Sequence, residues 1–449
     1  MRFDRFDYMV WTICLLLVFG IAGVVWHGNQ LGIQVRTSFP AHGEETGALS
    51  PAVIQFPEPM AQDSLVSRFS LSPETSGEVQ VSGDRLIFTP EIPLEYGGEY
   101  TATLLPGGIA ESGREIKEAY TWTFSIRQPM IAYLGHDNNQ LYRIPLTGGE
   151  PEQLTDNDSI FNFGSSHDGE KIAYAVINEQ KGIDLWVMDR DGSGQSKLLD
   201  CGLDRCTTPV WSPDGSQIAY SRSEAGLGPD QPYSASRIWL ADTSNGKTAR
   251  LFLNPEKTGH SPNWSPDGSR LAYVDGVAGR IVIVEIESGD EVYIPTQTGR
   301  MGSWSPDSSR MAYSDFVAAE DGAREAVLQV DFEVDDIINL FGHRFNENSF
   351  SGPEWSPTDR WIAVKSRESG TIQDELMLMA PDGLYGVVFA GDEGFTYLNY
   401  RYDPTGGFIL YQRAELGIAF AVPEVFVLNE ETKQNTLVIS GGTFPAWLP

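Results

Sequence analysis

The chain has 449 residues, 41% of them hydrophobic, which is enough length and apolar mass for two or three packed domains. Acidic residues outnumber basic ones 62 to 31, giving a net charge of −31. Non-specific binding to nucleic acid is disfavoured, because both polymers are anionic.

In chain order, the first predicted element is apolar. Tyr8 to Trp26 is a run of 19 residues without a charge, including Leu15-Leu16-Leu17-Val18-Phe19. At about 1.5 Å per residue it is long enough, as a helix, to cross a bilayer core of roughly 30 Å. Arg2 and Arg5 precede it and no Lys or Arg follows until Arg36, so the positive-inside rule predicts a cytoplasmic tail over 1–7, a transmembrane signal anchor over 8–26 and an extracytoplasmic remainder. A cleaved signal peptide shares this pattern, but the run is long for one and no Ala-x-Ala site follows it.

Residues 35–127 alternate strand patterns with turn clusters and contain no helical period. Tyr100-Thr101-Ala102-Thr103-Leu104 and Tyr120-Thr121-Trp122-Thr123-Phe124 place apolar groups on one face and threonines on the other, the period-two signal of half-buried strands. Ninety-odd residues of this kind suit a β-sandwich. Val53-Ile54-Gln55-Phe56-Pro57-Glu58-Pro59-Met60, then Phe88-Thr89-Pro90 and the closing Trp122-Thr123-Phe124, resemble a bacterial Ig-like domain of the surface-layer type. Such domains serve as spacers or adhesive modules, so this resemblance implies placement and not chemistry.

From residue 129 onward a repeat dominates. An Ile-Ala-Tyr-like triplet recurs at 131, 172, 218, 271, 311, 362 and 409, and a Trp-Ser-Pro-Asp-Gly-like turn precedes most copies. The tryptophan-equivalent positions 165, 211, 264, 304, 355, 402 and 447 are 46, 53, 40, 51, 47 and 45 residues apart. Periods of this size indicate propeller blades. Pro presets φ for the turn, Asp bonds the local backbone, and Gly takes the positive φ that joins two antiparallel strands. A third apolar run, such as Leu185-Trp186-Val187-Met188, and a short fourth segment complete a four-stranded blade. Ile131-Ala132-Tyr133 lacks a turn motif, whereas Pro445-Ala446-Trp447 supplies one without its partner triplet, so the carboxy-terminal strand is expected to complete the first blade. The count is then seven blades over 129–449, with six as the alternative if the unit after Tyr402 lies outside the ring.

The string Pro209-Val210-Trp211-Ser212-Pro213-Asp214-Gly215, followed by Ile218-Ala219-Tyr220, resembles the repeat of TolB-like propellers. The resemblance implies an all-β ring that mostly binds proteins, or that accompanies a peptidase domain in prolyl-oligopeptidase-like enzymes.

No Gly-x-Ser-x-Gly elbow, His-Glu-x-x-His helix or phosphate-binding loop is present. Asp189-Arg190-Asp191-Gly192 begins like a calcium loop but lacks the distal Glu, and it sits where a blade needs a turn. The repeated Trp-Ser-Pro-Asp-Gly residues are read as architecture, and function is expected in the irregular loops of the opposite face. The expected ligand-binding residues there are His136, Arg205, His260, Arg300, His343 and Arg344, which together would make a cationic mouth for an anionic group. Cys201 and Cys206 are disulfide candidates; free thiols and a metal remain open. No metal or cofactor is expected.

The sequence thus predicts a membrane-anchored, extracytoplasmic, non-catalytic propeller that binds a protein, peptide or glycan at the cell envelope. The alternative, from the propeller resemblance, is a metal-dependent polysaccharide lyase or hydrolase using His136, His260 and His343.

Overall fold

A computed structural model describes residues 9–20, 32–156, 159–226, 228, 231–319, 322–334, 336–342 and 348–449. The chain divides into two compact units, Met1–Arg127 and Gln128–Pro449. The expected transmembrane anchor is not supported. Residues 9–20 are helical, and at about 1.5 Å per residue twelve residues cover roughly 18 Å. Among the described residues no helix is long and apolar enough to cross a membrane. The expectation took the charge-free length as helix length, whereas the described helix is shorter than the ~20 residues a crossing needs. Residues 1–8 and 21–26 of that expectation lie outside the described residues.

The first unit is a β-sandwich. One sheet runs in the order Thr37–Phe39, Ala52–Gln55, Arg85–Pro90, Gly77–Ser82, and the other in the order Glu45–Thr46, Tyr120–Ile126, Glu99–Leu104, Phe69–Ser72. Strand alternation decides what each side chain does. Tyr100, Ala102 and Leu104 on one strand and Trp122, Phe124 and Ile126 on its partner point inward, joining Ile54, Phe56, Leu65 and Leu86 in a single core.

Among its described residues the second unit is all-β and forms seven four-stranded antiparallel blades. Their first strands are Ile160–Ser165, Arg205–Trp211, His260–Trp264, Ser303–Trp304, Asn348–Trp355 and Phe395–Tyr402 for blades two to seven. Blade one takes its first strand from the end of the chain: Gly442–Leu448 pairs antiparallel with Met130–Gly135, Trp447 opposite Ile131. The unit after Tyr402 forms a full blade, so the ring holds seven. Blades two and three are also joined by one parallel bridge, Ile183 to Arg205.

Packing follows from the triplet. In Gln217–Ser223, for example, Ile218, Ala219 and Tyr220 are all buried, because each blade is covered on both faces by its neighbours. Apolar clusters span each junction around the ring, from blades one and two at Leu134, Leu141, Ile160 and Ile172 to blades seven and one at Leu410, Val427, Ile131 and Trp447. The tryptophans sit in these seams, and three of their indole N–H groups find partners across them. Trp211 Nε1 donates to Gly164 O at 3.2 Å, Trp304 Nε1 to Asn263 O at 3.4 Å and Trp447 Nε1 to Arg401 O at 3.1 Å. In each case the acceptor is the residue before the tryptophan-equivalent position of the preceding blade. The motif is therefore a mortise between blades, as its sequence chemistry implied.

Candidate functional site

The antiparallel blades give the ring two faces. One carries the Ser-Pro-Asp-Gly turns, and its polar atoms are consumed in them. Ser212 Oγ donates to Asp214 Oδ1 at 2.6 Å, while Gln217 N donates back to Ser212 Oγ at 3.0 Å. Ser265 with Asp267 and Ser166 with Asp168 repeat the contact at 2.6 Å, and Ser305 pairs with Asp307 in the same way.

The other face carries the starts of the first strands and the loops after the second strands. Here the first strands of blades one, three, four, six and seven are bulged three residues before their tryptophan positions. Thr208, Ser261, Asn399 and Phe444 adopt positive φ (53°, 54°, 49° and 50°), as does Gly352 (59°). Buried polar side chains on the second strands hold the bulges. Ser221 Oγ accepts from Ser261 N at 3.1 Å, Ser314 Oγ from Gly352 N at 2.8 Å, and Gln412 Oε1 from Phe444 N at 3.3 Å and Asn399 Nδ2 at 3.1 Å. These residues follow the Tyr of the triplet, so a buried Ser or Gln directly after Ile-Ala-Tyr was a signal for the bulge that sequence reading passed over.

Two arginines of the expected cationic mouth are engaged by neighbours. Arg205 lies over the Tyr233 ring, 4.1 Å from its centroid, and Arg300 pairs with Glu325 at 2.9 Å. Burial pushes the Glu325 carboxyl above its ordinary range, against the pull of Arg300, Lys365 and Arg367. His260 opens its strand with Nδ1 3.1 Å from Ser261 Oγ, and burial lowers its pKa against the opposing influence of Asp275. His343 and Arg344 lie outside the described residues. Cys201 and Cys206 are bonded in a disulfide, with Cα atoms 6.4 Å apart, in the loop that enters the third blade. Among the described residues, no three His, Cys, Asp or Glu side chains converge as metal ligands.

His136 has a different setting from the other predicted residues. It lines a cavity of about 390 Å³ formed by blades seven and one, together with Leu398, Gln412, Leu416, Ile418, Phe420, Pro423 and Thr443. That volume is at the small end of the roughly 300–1,000 Å³ typical of ligand sites. Its wall is the loop 416–423, Leu-Gly-Ile-Ala-Phe-Ala-Val-Pro, which carries no charge and alternates large apolar side chains with small ones. Phe420 is 92% exposed and Ile418 58%, and Phe444 beside the cavity is 60% exposed. Phe420 also holds φ at 59°, a conformation that costs a bulky L-residue energy and is found where surrounding structure or function demands it. An apolar connection between two strands, where polar residues are the rule, was the sequence signal for this site.

Residues 30–126 match the family model of the bacterial Ig-like domain. The chain is 29% identical over 180 residues to an uncharacterized protein of Agrobacterium fabrum, covering 30% of this chain and 61% of that one. It is 34% identical over 103 residues to the Tol-Pal system protein TolB of Polaromonas sp., covering 23% of this chain and 20% of that protein. Among solved structures, oligogalacturonate lyase from Vibrio parahaemolyticus is 13% identical with a TM-score of 0.49, over 70% of this chain and 85% of that one. The chain spans less than two thirds of the length of these curated relatives.

Proposed function

We propose that this chain is an extracytoplasmic recognition module of the cell envelope, whose propeller binds a protein, peptide or glycan partner on its loop face without catalysing a reaction. The observation that carries the reading is the apolar cavity between blades seven and one, lined by the exposed Phe420 and Ile418. Exposed aromatic side chains around a concavity cost solvation free energy that a bound partner recovers, and they are the usual anchors of interfaces. The bonded Cys201–Cys206 pair fits an oxidising compartment, and the acidic surface keeps an exported protein soluble.

Displayed peptide libraries and glycan arrays, probed with the wild type and with Phe420→Ser, test this. Selected ligands are expected to lose at least about tenfold in affinity on the variant, the equivalent of about 1.4 kcal/mol. Equal binding by the variant, accompanied by turnover of a polysaccharide panel, would instead establish an enzyme acting elsewhere on the face.

A further inference from the structure

Three of the five polar side chains that line the cavity, Thr396, Thr443 and Gln412, are already engaged within the fold. Thr396 Oγ1 donates to Asp374 Oδ2 at 2.7 Å, Thr443 Oγ1 donates to Leu134 O at 3.0 Å, and Gln412 Oε1 accepts from both Asn399 and Phe444. A sugar ring needs a dense set of available donors and acceptors, which these walls do not offer. An apolar side chain needs only the space and the hydrocarbon.

The rim adds a second property. Glu415 lines the cavity, Asp137 follows His136, and Glu393 lies in the turn that enters Phe395–Tyr402; all three are exposed, and among the described residues none is in an ion pair. The neighbouring cation, Arg413, is spent: its guanidinium pairs with Glu424 at 2.8 Å and with Asp392, and it lies over the rings of Phe395 and Phe426. The lining therefore presents one unneutralised carboxylate, Glu415, at an apolar floor; Asp137 adjoins the lining residue His136, and Glu393 adjoins Gly394, whose O accepts from Leu416 N, on a molecule of net charge −31. Complementary charge steers a partner and rejects like-charged competitors.

From this we infer that the cavity takes an apolar or aromatic side chain of a peptide segment whose flanking residues are lysine or arginine. The inference rests on the reading of the loop face as a binding surface and specifies the chemistry of its partner.

Fluorescence polarisation with three short labelled peptides tests it. One carries a central Phe between lysines, one the same Phe between glutamates, and one a central Ser between lysines. The lysine-flanked Phe peptide is expected to bind at least about tenfold tighter than either of the others. Its advantage over the glutamate peptide should shrink several-fold between about 0.05 and about 0.5 M salt, as screening shortens the reach of the rim charges. Glu415→Gln should weaken it a few-fold. Phe420→Ser, at a side chain that packs little in the free protein, should remove the preference for Phe over Ser while leaving the melting temperature in place. If the glutamate-flanked Phe peptide binds as tightly as the lysine one, the charge inference is overturned and the apolar pocket survives. If the Phe and Ser peptides bind alike on the wild type, net charge alone attracts them and the underlying reading of the pocket falls as well.

Discussion

Asp184 illustrates what a single residue contributes to the loop face. Its side chain is 2% exposed, yet one oxygen accepts from Cys201 N and Asn178 Nδ2, both at 2.9 Å, and the other meets Lys197 Nζ at 2.8 Å. Burial raises its pKa, but the lysine, the backbone N–H and the amide together outweigh burial and hold the carboxyl below its ordinary value. Asp214, Asp267 and Asp307 in the turns are likewise held low, burial being outweighed by Ser hydroxyls and backbone N–H groups. A carboxyl that is more acidic folded than unfolded stabilises the fold fully above its unfolded value of about 3.9, and that stability is lost as pH falls through the folded values. Acid unfolding monitored by circular dichroism should therefore steepen below about pH 4 and not near neutrality. In the same experiment Asp184→Asn is expected to lose about 2 kcal/mol at pH 7 and to show a shallower acid limb, since hydrogen bonds to a charged group are worth roughly 1.5–3 kcal/mol. An unchanged acid limb would mean that Lys197 and not the carboxylate sets the geometry.

The turns between first and second strands make a cleaner comparison. Gly169 and Gly215 occupy equivalent positions with φ of 69° and 70°. A Cβ on Gly215 would meet open space, whereas one on Gly169 would lie 2.1 Å from Pro449 O, just past the closing strand. Gly215→Ala is expected to cost only the left-handed penalty of about 1–2 kcal/mol, and Gly169→Ala to cost visibly more because the terminal strand must shift; paired thermal melts measure the difference. These elements also show what the sequence made legible. Ser-Pro-Asp-Gly and Ile-Ala-Tyr exposed the hairpins, the blade count and the closing strand, because turn chemistry and burial on both faces leave a local trace. The bulges and the cavity were not legible, since they depend on side chains brought together across blades: Gln412 reaches Phe444 from 32 residues away. The settings of two residues of the expected cationic mouth were not legible for the same reason. Arg205 and Arg300 are cations in the sequence, but Tyr233 and Glu325 engage them only in the folded ring. At the amino terminus the charge-free run was legible, and the described helix covers 9–20 of it.

At the scale of the whole molecule, the ring is held shut by contacts that bridge almost its entire length. Thr443 Oγ1 donates to Leu134 O at 3.0 Å, Ser165 Oγ to Trp447 O at 2.8 Å, and Arg190 Nη1 to Pro449 O at 2.9 Å. Leu448 joins the apolar seam of blades one and two, while Trp447 joins that of blades seven and one, so one strand closes two seams. Loop-closure entropy grows only slowly with length, so even a closure over some three hundred residues costs little more than a short one, and the seams can repay it. Trp447→Ala should then cost about 3–5 kcal/mol, the range for emptying a buried tryptophan site, and should loosen blades one, two and seven together. Native-state hydrogen exchange gives the decisive reading. If closure couples the ring, amides of Met130–Gly135 and Phe408–Glu415 lose protection in the variant along with those of the terminal strand. If only Gly442–Leu448 exchanges faster, the blades stand independently and the terminal strand is an accessory to them.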